Sequence, residues 1–296
     1  MEAIWQWGIN LIIAIQQVHG PVLDSIFRVI TFAGEEQFYL GLLPLILWCF
    51  DYGFGAVLAV LFMISTSVNV TLKDLFQHPR PFDLIPGLKL SEASGYGLPS
   101  GHAQISVTVW GAIAGRLQKK WFWIVAAVVV LLISFSRIYL GVHFPTDVFA
   151  GLIIGGILLA LYFIYGPRVE RWLAGLHIGF QLLLAIGLPL LFLLPSPTAD
   201  ALTGSGAFLG MGIGLIFKSR YLPYSVGGTW WQRTLRYLAG MVILFALYLG
   251  LKAVFPPDGS VAGAVFRFVR YALIGGWITI GAPWLFMLMR LAKASD

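Results

Sequence analysis

Apolar residues are grouped along the chain in long stretches, and short polar segments separate these stretches. Each stretch approaches the ~20 residues that a helix needs to cross the hydrocarbon layer of a bilayer. We predict nine crossings, at about residues 35–51, 54–72, 100–115, 121–138, 146–165, 172–194, 201–217, 237–254 and 266–290. The pattern therefore indicates an all-α polytopic membrane protein.

The first 34 residues have a less regular pattern, because Asp24, Arg28 and several glutamines interrupt their apolar positions. We expect interfacial helices here, with a membrane-embedded, tilted crossing as the alternative. The chain is accordingly divided into an N-terminal segment 1–34, a core 35–166 and a C-terminal extension 167–296, whose four predicted helices have no assigned role.

Composition supports membrane insertion and narrows the classes of partner. Hydrophobic residues make up 59% of the chain and charged residues 11%, whereas soluble domains carry about a quarter charged residues. The net charge of +6 would suggest nucleic acid in a soluble protein, but loop lysines and arginines in a membrane protein fix its topology. We therefore expect the lipid bilayer as partner and no nucleic acid. A single cysteine, Cys49, excludes an intramolecular disulfide and a multi-cysteine metal site.

The basic residues predict an orientation. If the nine crossings alternate, eleven of the nineteen lysines and arginines fall on the side of the loop at Arg116–Lys120. The positive-inside rule places that side, and the C-terminus with it, in the cytoplasm. The compact loops are typical of a bacterial plasma (inner) membrane protein. Residues 73–102 and 136–147, which hold most of the polar chemistry, then share the non-cytoplasmic face.

The stretch 73–102 contains two features that suit an anion. Lys73 and Arg80 lie beyond the second predicted crossing, where a basic side chain is alternatively a snorkelling anchor. Ser100, Gly101 and His102 stand at the start of the third crossing, and serine is a typical helix cap. The first backbone N–H groups of a helix lack acceptors and bind anions readily. We expect the glycines of 95–98 to be a flexible connector.

The stretch 136–147 carries Arg137, His143 and Asp147. Such residues are costly at the ends of apolar helices unless they pair or line a polar cavity. Pro145 makes a helix start near Thr146 or Asp147, so that Asp147 can accept a hydrogen bond from His143. A carboxylate on one imidazole nitrogen raises the basicity of the other, as a nucleophile or base requires.

Together these residues suit phosphoryl transfer. Lys73, Arg80 and Arg137 match the charge on the non-bridging oxygens of a phosphoryl group. One histidine can attack phosphorus while the other protonates the leaving oxygen. We expect no metal and no other cofactor, because the chain has no cysteine cluster and no grouped carboxylates.

The same residues resemble the three-part signature of the type 2 phosphatidic acid phosphatase superfamily, K-x6-R-P, P-S-G-H and S-R-x5-H-x3-D. The matches are "KDLFQHPRP" from Lys73, "PSGH" from Pro99 and "SRIYLGVHFPTD" from Ser136, without a departure. The resemblance implies a six-helix core, with three to four further C-terminal helices as an extension.

The resemblance also implies a metal-independent lipid phosphatase or pyrophosphatase and a role for each matched residue. His143 would form a phosphohistidine, Asp147 would orient it, and His102 would act as the general acid. The phosphate would be held by Lys73, Arg80, Ser100, Gly101 and Arg137. Candidate substrates are polyprenyl pyrophosphate, phosphatidic acid, phosphatidylglycerol phosphate and a sphingoid phosphate.

Three alternatives stay open at this point. The first is a phosphotransferase that passes the phosphoryl group to another lipid, and the second is a transporter or scramblase that retains the site. The third, a vanadium haloperoxidase, is disfavoured because its known relatives are soluble. The sequence gives no oligomeric state. We expect His78, inside the K-x6-R-P spacer, to be a solvated loop histidine, with substrate contact as the alternative.

Overall fold

The computed structural model describes residues 2–195, 197–257 and 259–294, and the regular secondary structure of these residues is helical. The α-helices in this part of the chain are α1 Glu2–Gln16, α2 Pro21–Phe32, α3 Glu36–Cys49, α4 Tyr52–Phe76, α5 Pro81–Leu84, α6 Gly101–Leu117, α7 Lys120–Tyr139, α8 Pro145–Gly175, α9 Ile178–Leu191, α10 Ala199–Tyr221, α11 Trp230–Val254, α12 Val261–Gly276 and α13 Ala282–Leu288. A 3₁₀ turn, Pro86–Leu88, follows α5, and a π-helical segment, Trp277–Gly281, joins α12 to α13. The all-α prediction is confirmed.

Six helical segments of the described residues are long and apolar enough to cross a membrane: Tyr52–Leu84, Lys120–Tyr139, Pro145–Gly175, Ala199–Tyr221, Trp230–Val254 and Val261–Leu288. The prediction of an integral membrane protein is confirmed. The other three predicted crossings correspond to the shorter helices α3, α6 and α9. α9 is short because α8 continues to Gly175, past the predicted start of the sixth crossing. The exact number of crossings in the extension stays a prediction.

Helix α6 is less apolar than its neighbours because protein surrounds it. Gln104, Ser106 and Thr108 are fully buried. The Ser106 hydroxyl donates to the Ala103 carbonyl and the Thr108 hydroxyl to the Gln104 carbonyl. These local bonds satisfy polar groups that would otherwise be costly to bury.

The chain divides into two compact units. The first comprises Met1–Tyr39 and Val68–Pro167, and the second comprises Leu40–Ser67 and Arg168–Asp296. The boundaries between them fall within α3, α4 and α8. The segments 1–34, 35–166 and 167–296 stay predictions.

In the first unit, α8 approaches the start of α6 very closely. A Cβ atom at Gly151 would lie 2.5 Å from the Ser100 carbonyl oxygen, and one at Gly155 would lie 2.5 Å from that of Gln104. Real Cβ contacts are not this short, so both positions require glycine at this helix spacing. Helices α1 and α2 pack against α7 in the same unit. Whether they lie in the interface or cross the membrane stays a prediction.

The second unit has an aromatic core and a buried arginine. Trp48, Tyr224 and Phe286 are buried together. Arg236, on α11, is fully buried and donates to the carbonyls of Val226 and Gly227 and to the Tyr224 hydroxyl. This arginine therefore anchors the loop that precedes α11.

Candidate active site

The first unit places every predicted site residue at a helix end or in an adjoining loop. Lys73 is in the last turn of α4, and Arg137 is in the last turn of α7. Arg80 directly precedes α5, Ser100 directly precedes α6, and Gly101 and His102 are the first residues of α6. His143 lies between α7 and α8, and Asp147 is in the first turn of α8. Arg137, His143, Lys73 and Arg80 all lie close enough to His102 to interact electrostatically with its imidazole. The structure thus brings together residues from three distant stretches of the chain.

His143 and Asp147 form a buried pair. The His143 Nδ1 atom lies 3.4 Å from the Asp147 Oδ2 atom, and the Phe144 backbone N–H donates to the same oxygen over 2.9 Å. His143 is 2% exposed and Asp147 is fully buried. The expected proximity of the two side chains is confirmed. Because Pro145 is the first residue of α8, the helix begins one residue earlier than predicted.

Arg80 sets the tautomer of His143. Its Nη1 atom lies 3.2 Å from the His143 Nε2 atom. A guanidinium only donates hydrogen bonds, so Nε2 carries the lone pair and the proton of the neutral ring is on Nδ1, facing Asp147. Burial, and then the charge of Arg80, lower the pKa of His143 from 6.5 to about 3. His143 is therefore neutral near pH 7, with the lone pair of Nε2 on the Arg80 side.

The stretch expected to be a plain connector holds Arg80 in place. The Arg80 guanidinium donates to the carbonyls of Ser94 (2.7 Å), Gly95 (2.7 Å) and Val142 (2.8 Å). Gly95 adopts a φ of +65°, in the left-handed region that favours glycine. The glycine at 95 thus serves a backbone turn whose carbonyls orient an arginine, and the expectation of a connector alone is wrong.

Ser100 does not cap α6. Its side chain makes no capping hydrogen bond, and its Oγ atom is buried without a hydrogen-bond partner among the described residues. The backbone N–H of Ser100 donates instead to the Asp147 carbonyl oxygen over 2.9 Å, which ties the start of α6 to α8. The Ser100 hydroxyl therefore takes no part in fixing the start of α6.

Asn69, on α4, supports this helix start and was not predicted. Its Nδ2 atom donates to the Pro99 carbonyl (3.2 Å) and to the Gln104 side chain (2.9 Å). A Cβ atom at Gly101 would lie 3.0 Å from the Asn69 Oδ1 atom. Asn69 therefore fixes the backbone of the P-S-G-H segment from the side of α4.

Arg137 is buried beside a threonine. Its Nη1 atom donates to the Thr31 hydroxyl over 2.7 Å, and Thr31 is 1% exposed. Glu35 attracts the Arg137 charge from the turn after α2. The Arg137 Nε atom and the His102 Nε2 atom are buried, and neither has a hydrogen-bond partner in the described part of the chain. Buried polar atoms normally have partners, so these atoms, like Ser100 Oγ, are available to accept or donate a further hydrogen bond.

His78 differs from the expectation of a solvated histidine. Its side chain is 14% exposed, and its Nδ1 atom lies 3.3 Å from the Asp147 Oδ1 atom. Trp5, on α1, donates its indole N–H to the His78 Nε2 atom over 2.7 Å. The histidine is therefore held within the protein, next to the predicted carboxylate.

Thr31, Glu35 and Trp5 were not predicted because none belongs to the three matched motifs and each contacts the site from a helix or turn distant along the chain. Asn69 lies on α4 with Lys73 but before the motif that begins at Lys73. Thr31 is 106 residues from Arg137. The one available signal was polarity within an apolar helix, which Asn69 shows inside α4.

Family models match most of the chain. A model described as the PAP2 superfamily matches residues 52–171, which include all the predicted site residues. A second, described as the PAP2 superfamily phosphatase transmembrane extension, matches residues 202–294.

Two curated relatives and one solved structure agree with these matches. The chain is 31% identical to phosphatidylglycerophosphatase B of Bacillus subtilis over 52% of this chain and 81% of that one. It is 26% identical to lipid phosphate phosphatase delta of Arabidopsis thaliana over 71% of this chain, and it spans 55% of that relative's length. The crystal structure of a transmembrane PAP2-type phosphatidylglycerolphosphate phosphatase from Bacillus subtilis superposes with a TM-score of 0.52 at 27% identity, over 58% of this chain and 90% of that one. The resemblance drawn from the three motifs is confirmed, and the chain belongs to the PAP2 superfamily.

Proposed function

We propose that the protein is a metal-independent membrane phosphatase that hydrolyses a lipid phosphate or pyrophosphate through a phosphohistidine. The observation that carries the proposal is the set of buried, unpartnered polar atoms around His143 within the described residues: Ser100 Oγ, His102 Nε2 and Arg137 Nε. Together with Lys73 and Arg80 they offer hydrogen bonds and positive charge to one anion, next to a neutral imidazole. A phosphoryl group satisfies all of these groups at once.

In the proposed reaction, the Nε2 lone pair of His143 attacks phosphorus and the bond from phosphorus to the leaving oxygen breaks. His102 donates a proton to that oxygen, while Asp147 stabilises the positive charge that develops on His143. Water, deprotonated by His102, then attacks the phosphohistidine. The N–P bond breaks and inorganic phosphate leaves, with both histidines restored.

Exposed apolar residues beside the site support a lipid as the substrate. Leu75 and Phe76, which follow Lys73, are 67% and 53% exposed, and Leu84 and Ile85, which follow Arg80, are also exposed. An apolar surface next to a phosphate site suits a substrate whose headgroup lies at the membrane interface and whose tail lies in the bilayer. The candidates are polyprenyl pyrophosphate, phosphatidic acid, phosphatidylglycerol phosphate and a sphingoid phosphate. We place the site on the non-cytoplasmic face of a bacterial plasma membrane, with the C-terminus in the cytoplasm.

The test is a phosphate-release panel with the purified full chain in detergent, over these lipids and soluble phosphate esters, with and without EDTA. We expect release from at least one lipid, unchanged by EDTA, and none from His143→Ala. His19→Ala, which removes an exposed histidine outside the site, is the matched control and is expected to keep wild-type activity.

Other outcomes would contradict the proposal. A labelled lipid product instead of inorganic phosphate would identify a phosphotransferase. Lack of release from every compound by a folded wild-type chain would favour a transporter or scramblase. A strict requirement for a divalent metal would contradict the metal-independent chemistry.

A further inference from the structure

The Asp147 carboxylate lies between the imidazoles of His143 and His78. Of these two histidines, only His143 belongs to the three-part family signature. His143 Nδ1 is 3.4 Å from Oδ2, and His78 Nδ1 is 3.3 Å from Oδ1. Asp147 is fully buried, so each of its oxygens needs a donor. The Phe144 N–H supplies a second donor to Oδ2, whereas the group that faces Oδ1 is His78 Nδ1.

The tautomer of His78 follows from Trp5. An indole N–H is a donor only, so the His78 Nε2 atom that receives it over 2.7 Å carries a lone pair. The proton of the neutral ring is then on Nδ1 and points towards Asp147. The rings of Trp5 and Phe144 pack edge-on against the imidazole, with centroids 5.3 and 5.8 Å away, and hold its plane.

His78 and Asp147 face each other without competing partners. Neither His78 Nδ1 nor Asp147 Oδ1 forms a hydrogen bond of good geometry with any described residue, each other included, so the two atoms have no competing partners. Their separation of 3.3 Å is at the long end of hydrogen bonding, and a small rotation of the carboxylate completes the bond. Trp5 occupies Nε2 of His78 and the Asp147 carboxylate lies opposite Nδ1, which argues against the alternative of substrate contact.

We infer that His78 is a positioning residue, whose Nδ1–H orients the Asp147 carboxylate so that Oδ2 stays on the Nδ1–H of His143. The inference rests on the proposed function. Successive contacts connect Trp5 to His78, His78 to Asp147 and Asp147 to His143. The Trp5 indole fixes the tautomer of His78, and Arg80 fixes that of His143. The donor on Oδ1 prevents the carboxylate from turning away as positive charge develops on His143. A hydrogen bond to a charged group such as this carboxylate is worth about 10–100-fold.

The experiment compares His78→Asn with His78→Leu, two side chains of nearly the same shape. Asparagine keeps an N–H donor at the position of Nδ1, whereas leucine has none. Steady-state phosphate release is measured on dioctanoyl phosphatidic acid in detergent with EDTA, together with thermal midpoints. We expect kcat of the leucine variant to fall about 10–100-fold, with KM within about twofold of wild type because substrate binding is untouched. The asparagine variant should recover most of kcat.

Trp5→Phe provides a second test that keeps the His78 ring. It removes the hydrogen bond to Nε2 and frees the tautomer, so we expect kcat to fall by about two- to tenfold, again at unchanged KM. If His78→Leu does not fold, Trp5→Phe is the variant that tests the inference. A kcat of Trp5→Phe equal to that of wild type would then overturn it.

Four further results would overturn the inference. Equal kcat for the asparagine and leucine variants would show that shape, and not the donor, matters at position 78. A raised KM at unchanged kcat would place His78 in substrate binding. An active wild type, an inactive His143→Ala and a fully active His78→Leu would leave the proposed function intact and remove only this inference. A folded wild type without activity towards any lipid phosphate would remove both.

Discussion

The approach of α8 to the phosphate-binding segment depends on Gly151. A methyl group there would lie 2.5 Å from the Ser100 carbonyl oxygen, 3.2 Å from the Ala103 Cβ atom and 3.3 Å from the Gln104 nitrogen. Two of these neighbours are backbone atoms, which cannot rotate away as a flexible side chain does. Gly151→Ala must therefore move the start of α6 away from α8.

The size of the movement follows from the contact distance. Ordinary contact begins at 3.4 Å, so the Ser100 carbonyl has to move by 0.9 Å (3.4 minus 2.5) if the helix absorbs none of the strain. Overpacking of this kind costs about 1–3 kcal/mol. A misplacement of about 1 Å at catalytic groups costs on the order of 100-fold in rate. We expect Gly151→Ala to lower kcat/KM about 10–100-fold.

Gly156→Ala is the matched control, because it lies on the same helix and a Cβ atom there meets nothing within 4 Å. Alanine is a better helix former than glycine, so this variant should keep its activity and gain about 0.5–1 kcal/mol. The assays are phosphate release and the thermal midpoint in detergent, in which Gly151→Ala should lose about 2–10 °C.

Wild-type kcat/KM and thermal midpoint in Gly151→Ala would contradict the role of this close contact. An equal loss of activity in Gly156→Ala would contradict it too, since the effect would then belong to glycine in α8 generally and not to the contact with Ser100.

Three further predictions concern single groups at the site. Thr31→Val removes the hydroxyl that accepts the hydrogen bond from Arg137, so kcat/KM should fall about 10–100-fold. Thr31→Ser keeps the hydroxyl and should keep most of the activity. Equal losses in both variants would show that the hydrogen bond is unimportant. Asn69→Leu removes the donor to the Pro99 carbonyl and should raise KM for the lipid by about tenfold or less, whereas an unchanged KM would separate Asn69 from phosphate binding. His143 is neutral in the folded state down to its pKa of about 3, whereas an unfolded histidine gains a proton near pH 6.5. The free energy of unfolding of the wild type should therefore fall relative to that of His143→Asn by about 1 kcal/mol between about pH 6.5 and about pH 5.5. Parallel pH curves of the two thermal midpoints would contradict the lowered pKa.

The parts of this site that depend on residues close together in the chain can be predicted from the sequence by short-range rules. Spacing predicts the pairing of His143 with Asp147, because a proline fixes the start of α8 and the two residues are four positions apart. Apolar length predicts α4, α7 and α8, since lipid contact demands it.

The same rules fail where protein replaces lipid or where contacts are remote. Helix α6 is buried by its neighbours and carries polar residues that hydropathy alone does not expect in a crossing. Thr31 and Trp5 reach the site from α2 and α1, and nothing in the local sequence of those helices indicates which distant residue they meet. Ser100 was expected to cap its own helix, but its hydroxyl is left facing the proposed phosphate site. A cap preference describes isolated helix ends, whereas here a backbone bond to Asp147 fixes the segment.

The most direct test of the central claim is to identify the residue that becomes phosphorylated. The enzyme is mixed with a radioactively labelled lipid phosphate in EDTA, quenched rapidly with alkali and digested. We predict an acid-labile, alkali-stable label on the peptide that contains His143, formed as fast as turnover and missing from His143→Ala. Phosphate release at the wild-type rate by His143→Ala, or a label on another residue, would contradict it.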